Sequence, residues 1–241
     1  WFALDKLRQE EFFKPGAFVY DTSSPYKSCA LETFTLQRLQ LWFDVCQRVD
    51  NKPLSSHWPW LKGTIMDSEC VNKLVILRDT KLDTQDEAVA ALKTMLASGS
   101  SSACMSQAKS SSPLLFVTVT NSNAAPILVC IECHYIGIGE RTVFGLGTLR
   151  DQIEKKTPHV LAAMEKLKFR SPMLFLVVCT GTVSSTIEGR LLTHDDYAFI
   201  SPNMQVLVLS KDQVGQLLGR DNVGALRTSA AQALLEAERG R

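Results

Sequence analysis

Two kinds of apolar pattern run along this chain. Between Cys29 and Val49, the residues Leu31, Phe34, Leu39, Trp42, Phe43, Val45 and Cys46 recur at helical spacing, which predicts an amphipathic helix capped by Ser28. Ala88, Leu92, Met95 and Leu96 predict a second helix over Asp83–Ala97, opened by Asp83 or Thr84. Leu149, Ile153, Val160, Leu161, Met164 and Leu167 carry a third stripe from a Thr148 cap to about Lys168, and Pro158 is expected to kink that helix or divide it in two. Apolar runs instead predict strands at Val71–Leu77, Pro113–Thr120, Pro126–Ile136 and Pro172–Thr180, with shorter ones at Ala17–Tyr20, Tyr197–Ile200 and Met204–Leu209. Further helices are expected at Lys211–Leu218 and Asn222–Arg239.

The polar turn Asn121-Ser122-Asn123 joins Pro113–Thr120 to Pro126–Ile136 as a hairpin, and a helix then leads to the next strand. That order predicts an α/β fold, a mixed β-sheet with flanking helices. Residues 29–220 form the expected α/β domain, and within it the serine-rich stretch 98–112 reads as a flexible loop, too polar to pack. The chain opens at Trp1 rather than Met, so residues 1–28 are expected to be the end of an upstream domain, and residues 221–241 a C-terminal helix.

Composition narrows the function classes. The 241 residues are 45% apolar and 21% charged, with a formal net charge of +1, so any nucleic-acid site has to be a local patch. Apolar runs such as Met173–Cys179 fall far short of the ~20 residues a membrane-spanning helix needs, and no membrane partner is expected. Seven scattered cysteines suit reduced thiols in an intracellular compartment, nucleus or cytoplasm, better than a disulfide framework. Cys130 and Cys133 resemble a metal-binding pair, but residues three apart on a strand face opposite sides.

The candidate chemistry lies at the end of the second hairpin strand. Glu132 and His134 are two apart, so on a strand they share a face. A carboxylate followed two residues later by a proton-handling group has the spacing of the E-x-K half of metal-dependent nucleases, in which the carboxylate holds a divalent cation. The Gly137–Gly147 loop, between strand and helix, sits where a phosphate can bind, but it lacks the third glycine of a dinucleotide fingerprint. His194-Asp195-Asp196 reads as acidic turn residues, and His57, Trp58 and Trp60 as a plug at the edge of the core. Glu32 has a local explanation, a carboxylate in the first turns of its helix.

Taken together, Ser112–Thr120, Ile127–His134, Leu149-Arg-Asp-Gln152 and Met173–Cys179 resemble the C-terminal domain of retrotransposon hot spot and Crinkler-type proteins, which is similar to the PD-(D/E)xK nuclease fold. The resemblance covers roughly Cys29–Leu218 and is sharpest over Pro113–Cys179. It implies a restriction-endonuclease-like αβββαβ core. Glu32 would then be the first-helix acid, Glu132 the metal-binding strand carboxylate, His134 the occupant of the lysine place and Gln152 the helix amide. It also implies Mg²⁺ if the domain is active, nucleic acid as partner, and an upstream P-loop NTPase domain in the same chain. The sequence departs from that pattern beside Pro113-Leu-Leu, where the metal-binding Asp is replaced by Phe116 or an apolar neighbour; Asp67 or Asp79 is the candidate substitute from another strand. A catalytically degenerate domain, a non-catalytic protein- or nucleic-acid-interaction module of a larger NTPase or effector, and a nucleotide-binding α/β domain therefore stand beside the active nuclease.

Overall fold

A computed structural model describes residues 31–32, 35–36, 38–40, 43, 52–67, 74–80, 82–106, 115–119, 126–134, 136 and 142–219. Residues 1–28 and 221–241, the Asn121–Asn123 turn and Asp79's side chain lie outside the described parts. The described residues from 31 to 43 are helical, and we label them α1. Then follow α2 (Leu54–His57), β1 (Val75–Thr80), α3 (Gln85–Ala97), β2 (Ser102–Ser106), β3 (Leu115–Val119) and β4 (Ile127–His134). The second half holds β5 (Val143–Phe144), α4 (Leu146–Lys156), α5 (Pro158–Lys166), β6 (Met173–Cys179), β7 (Thr182–Val183), β8 (Leu191–Leu192), β9 (Met204–Val208) and α6 (Lys211–Leu218).

Seven strands form one mixed sheet in the order β1-β2-β3-β4-β6-β9-β8, and β5 pairs with β7 in a small parallel ribbon. β2, β3 and β4 run antiparallel, with Phe116 of β3 opposite Cys104 on one side and Cys130 on the other. β4, β6 and β9 are mutually parallel, and Glu132 lies opposite Val177. Parallel neighbours need a crossover, and α4 and α5 supply the one between β4 and β6.

β4 and β6 separate two apolar cores. Val129, Ile131 and Cys133 of β4, with Leu174 and Leu176 of β6, face α1, α2 and α6. Leu128, Cys130, Phe175 and Val177 face α3, α4 and α5. Both strands are therefore apolar at almost every position, the pattern expected of strands covered on both faces. Cys130 and Cys133 sit in different cores, as their spacing requires.

Local chemistry explains the helix limits. Thr84 accepts the Glu87 amide while the Glu87 carboxylate accepts the Thr84 amide, a capping box that opens α3. Pro158 begins α5 at a position where its missing N–H is not needed, and the long apolar stripe divides there into α4 and α5. The cap of α4 is Gly145 rather than Thr148.

Three expectations are corrected. Within the serine-rich stretch 98–112, Ser102–Ser106 is a strand of the sheet rather than part of a flexible loop. The Ser102 hydroxyl is satisfied internally: Ser102 is fully buried and shares a 2.7 Å hydrogen bond with Ser98, which also donates to the Met95 carbonyl. The expected strand at Tyr197–Ile200 is a turn. Asp196 accepts the Thr193 amide, the Ile200 amide donates to the Tyr197 carbonyl, and the rings of Tyr197 and Phe199 stack on each other at 5.5 Å. The segment Asn51–Trp60, read as a loop, also contains the short helix α2.

The ends of β4 and β6 are fastened together past their last paired residues. Thr180 donates its amide to the His134 carbonyl, and its hydroxyl bonds both the amide and the carbonyl of Ile136. The next residue is Gly181, where an added Cβ would overlap the Ile136 side chain at Cδ1 (2.6 Å) and Cγ2 (2.8 Å). Gly181→Ala is expected to lower stability by about 1–3 kcal/mol through this overpacking. Urea unfolding checks it, and a loss below about 0.5 kcal/mol, the scale of a neutral surface change, would contradict the close approach.

Candidate functional site

Glu132 occupies the last turn of the pleat before β4 ends, and it is only 4% exposed. Strand alternation puts it on the side of Leu128 and Cys130, the side covered by α4. Glu32 comes from α1, on the other side, and is 1% exposed. Thr35, one turn on from Glu32, anchors α1 at this end of β4: its hydroxyl accepts from the Cys133 thiol at 3.6 Å and donates to the Leu31 carbonyl. Two carboxyl groups are thus buried at this end of β4, one on each side of the strand, where the apolar sheet should be driest. Glu32 Oε1 and Glu132 Oε2 are both buried without a hydrogen-bond partner. Buried polar atoms are nearly always partnered, so a pair of orphans at one place calls for a chemical explanation.

Burial dominates their acidity. Glu32 is pushed from the ordinary 4.5 up to about 8, first by loss of water and then by the charge of Glu132. Glu132 rises to about 7, again through loss of water. Lys156 opposes the rise at both residues, and Lys155 opposes it at Glu132. Lys156 is itself 9% exposed, an unusual position for an ammonium group. It extends the buried stripe of α4 after Leu149 and Ile153, at the helix C-terminus, where the backbone dipole favours a cation. The two carboxylates also raise the Cys133 thiol, though its burial contributes more.

Of the four site residues suggested by the sequence, Glu32 and Glu132 are both buried, and the charge of Glu132 reaches Glu32. His134 is half-buried at the strand end, its ring edge-on to Phe144 at 5.0 Å. It is not among the groups that shift either carboxyl. Gln152 is half-buried on α4, one turn before Lys156, and its side-chain amide forms no hydrogen bond with another described residue. Lys156 was not singled out from the sequence, but its signal was there: a lysine at the third position of the stripe Leu149–Ile153–Lys156.

The other candidates have local roles. Asp67 accepts the Gly63 amide at 2.9 Å, which holds its carboxyl below the usual range and ties it to its own turn. Asp196 accepts from Thr193, and His194 Nδ1 bonds to the Ile200 carbonyl at 2.6 Å. Trp58 is buried and stacks on Trp60 at 5.5 Å against the first core, as a plug would. In the glycine loop, a Cβ at Gly145 or Gly147 would meet nothing within 4 Å, so close backbone packing does not demand glycine there.

Comparison with protein-family models, curated proteins and solved structures finds no match. Among the described residues no helix is long and apolar enough to cross a membrane, and no group of three or more His, Cys, Asp or Glu side chains is placed to hold a metal ion. The donor set at the centre is two carboxylates, each with one orphaned oxygen. That set fits a hard cation such as Mg²⁺, which commonly takes one or two carboxylates and keeps several waters.

The raised acidities give a pH dependence with a definite sign. In the unfolded chain both carboxyls ionise near 4.5, whereas the folded chain holds their protons up to about 7 and about 8. The folded state therefore binds more protons across that window, and its stability falls as pH rises through it. The free energy of urea unfolding is expected to drop by on the order of a few kcal/mol between about pH 5 and about pH 9. Glu32→Gln, neutral at every pH, is expected to remove much of that slope. An unchanged slope in Glu32→Gln would contradict the assignment.

Proposed function

We propose that this chain carries a nuclease-like α/β domain of the retrotransposon hot spot and Crinkler kind, from an intracellular protein, with Glu32 and Glu132 at its acidic centre. The observation that carries the reading is the burial of these two carboxyls, each with an unpartnered oxygen, one on α1 and one near the end of β4. The αβββαβ order of that fold is contained in the chain as α1, β2, β3, β4, α4–α5 and β6, with α2, β1 and α3 inserted between α1 and β2 and the short β5 before α4. Glu32 and Glu132 would hold Mg²⁺, which supplies a water of lowered pKa and neutralises charge on a phosphodiester. Nucleic acid is the substrate class that this chemistry serves, and a P-loop NTPase domain upstream in the same chain would be its partner.

A second reading is a non-catalytic interaction module of a larger NTPase or effector. One specific observation favours it: β3 runs Leu-Phe-Val-Thr-Val and offers no aspartate, so the hard-ligand set stays at two. The readings separate in one assay. With purified protein and labelled single- and double-stranded DNA and RNA, the nuclease reading expects Mg²⁺-dependent cleavage that falls at least ~10²-fold in Glu132→Ala. No cleavage with Mg²⁺, or cleavage that survives the substitution, would leave the interaction module as the better account.

A further inference from the structure

We propose that Lys168 and Arg170, on the turn that leads from α5 into β6, form a docking point for the phosphodiester backbone of a nucleic acid, separate from the acidic centre. Among the described residues, Lys168 is the single non-glycine residue with a positive φ, 56°. The turn around it is a Schellman motif: the Lys168 amide donates to the Glu165 carbonyl and the Phe169 amide to the Met164 carbonyl, each at 3.0 Å. That motif needs a left-handed residue just past the helix, and glycine adopts it freely because it has no Cβ. The same molecule uses glycine in the same place after α3, where Gly99 has a φ of 63° and its amide donates to the Leu96 carbonyl. Lysine at position 168 is therefore a strain that the turn itself does not call for. Strain of this kind collects where a side chain is needed for function.

The surroundings of the turn say which function. Phe169 packs against the second core, and the exposed Lys168 and Arg170 flank it. Neither cation forms an ion pair or a side-chain hydrogen bond with another described residue. Lys166 differs, because Asp86 accepts from its ammonium at 3.1 Å and matches its charge. The helix dipole does not explain Lys168, since a lysine inside the last turn, such as Lys166, gains that interaction with an ordinary helical backbone. Two unmatched cations two residues apart, on a turn fixed by two backbone hydrogen bonds, suit a ligand with repeated negative charge. The chain's net charge of +1 exerts no general pull on a polyanion, so such a contact has to be local. The choice of a nucleic acid as that polyanion rests on the proposed function.

Fluorescence anisotropy on the whole chain tests this, with a labelled single-stranded DNA of ~20 nucleotides and the matching duplex, in EDTA so that nothing is cleaved. Lys168→Gly is expected to weaken binding ~3–10-fold and to make the slope of log affinity against log salt shallower by about 0.7–0.9, the share of one phosphate contact. It is also expected to raise Tm by about 2 °C or more, because the strain is gone. Lys168→Ala keeps the strain, so it is expected to weaken binding as much without raising Tm. Lys168→Arg is expected to bind like the native chain, and Arg170→Ala to lose ~3–10-fold as well. Native affinity and slope in Lys168→Gly or in Arg170→Ala would overturn the proposal, and a Tm of Lys168→Gly no higher than the native value would remove its premise. Mg²⁺-dependent cleavage judges the nuclease reading separately. Binding that depends on Lys168 without any cleavage leaves the docking point standing and sinks that reading; cleavage with binding indifferent to Lys168 does the reverse. No binding to either DNA by the native chain would overturn the docking point outright.

Discussion

Everything in this fold depends on β4 and β6 being dry on both faces. Seven of the eight residues of β4 and all seven of β6 are buried, and helices cover the sheet from either side. Such a strand pair has no tolerant face: an ionisable group anywhere along it loses its water. Glu132 is the place where the sequence breaks that rule. The carboxyl keeps its proton far above the ordinary range, and the helices that meet there bring a second carboxyl and a lysine rather than more apolar side chains. A polar cluster in this setting weakens the fold, and sequences that keep such a weakness commonly do so at a working site.

The same constraint decides what could be read from the sequence. Pro172–Thr180 and Pro126–Ile136 are legible as strands because burial on both faces leaves an unbroken apolar run. The break at Pro158 and the cap at Thr84 are legible because each follows from one residue's own backbone chemistry. β2 is not, because its burial relies on Ser98 and Ser102 hydroxyls satisfying each other, the Ser100 carbonyl and the end of α3, and that network exists only once the helix and strand have docked. The turn at Tyr197–Ile200 hides for the opposite reason: alternating aromatics imitate a strand while stacking on each other.

The site was half legible. The Glu132/His134 spacing draws attention to the right strand end, but alternation cannot say which neighbour a side chain meets across the layers. His134 turned out to meet Phe144, whereas the cation came from α4. Glu32 has an ordinary helix-cap explanation in the sequence, and only its burial against Cys133 and Glu132 removes it. Lys156 shows the general point: a charged residue on an apolar stripe at i, i+4, i+7 is informative, because the stripe will carry it into the core unless a partner awaits it there.

The account's central claim is that Glu32 and Glu132 are one coupled ionisable centre. NMR of the side-chain carboxyls in protein with isotope-labelled glutamate, titrated without added metal, tests it most directly. Two carboxyl resonances are expected to titrate at about 7 and about 8, and substituting Glu132 by glutamine should lower the midpoint of Glu32 by removing the neighbouring charge. Midpoints for both near the ordinary 4.5, or a Glu32 midpoint indifferent to Glu132, would contradict it.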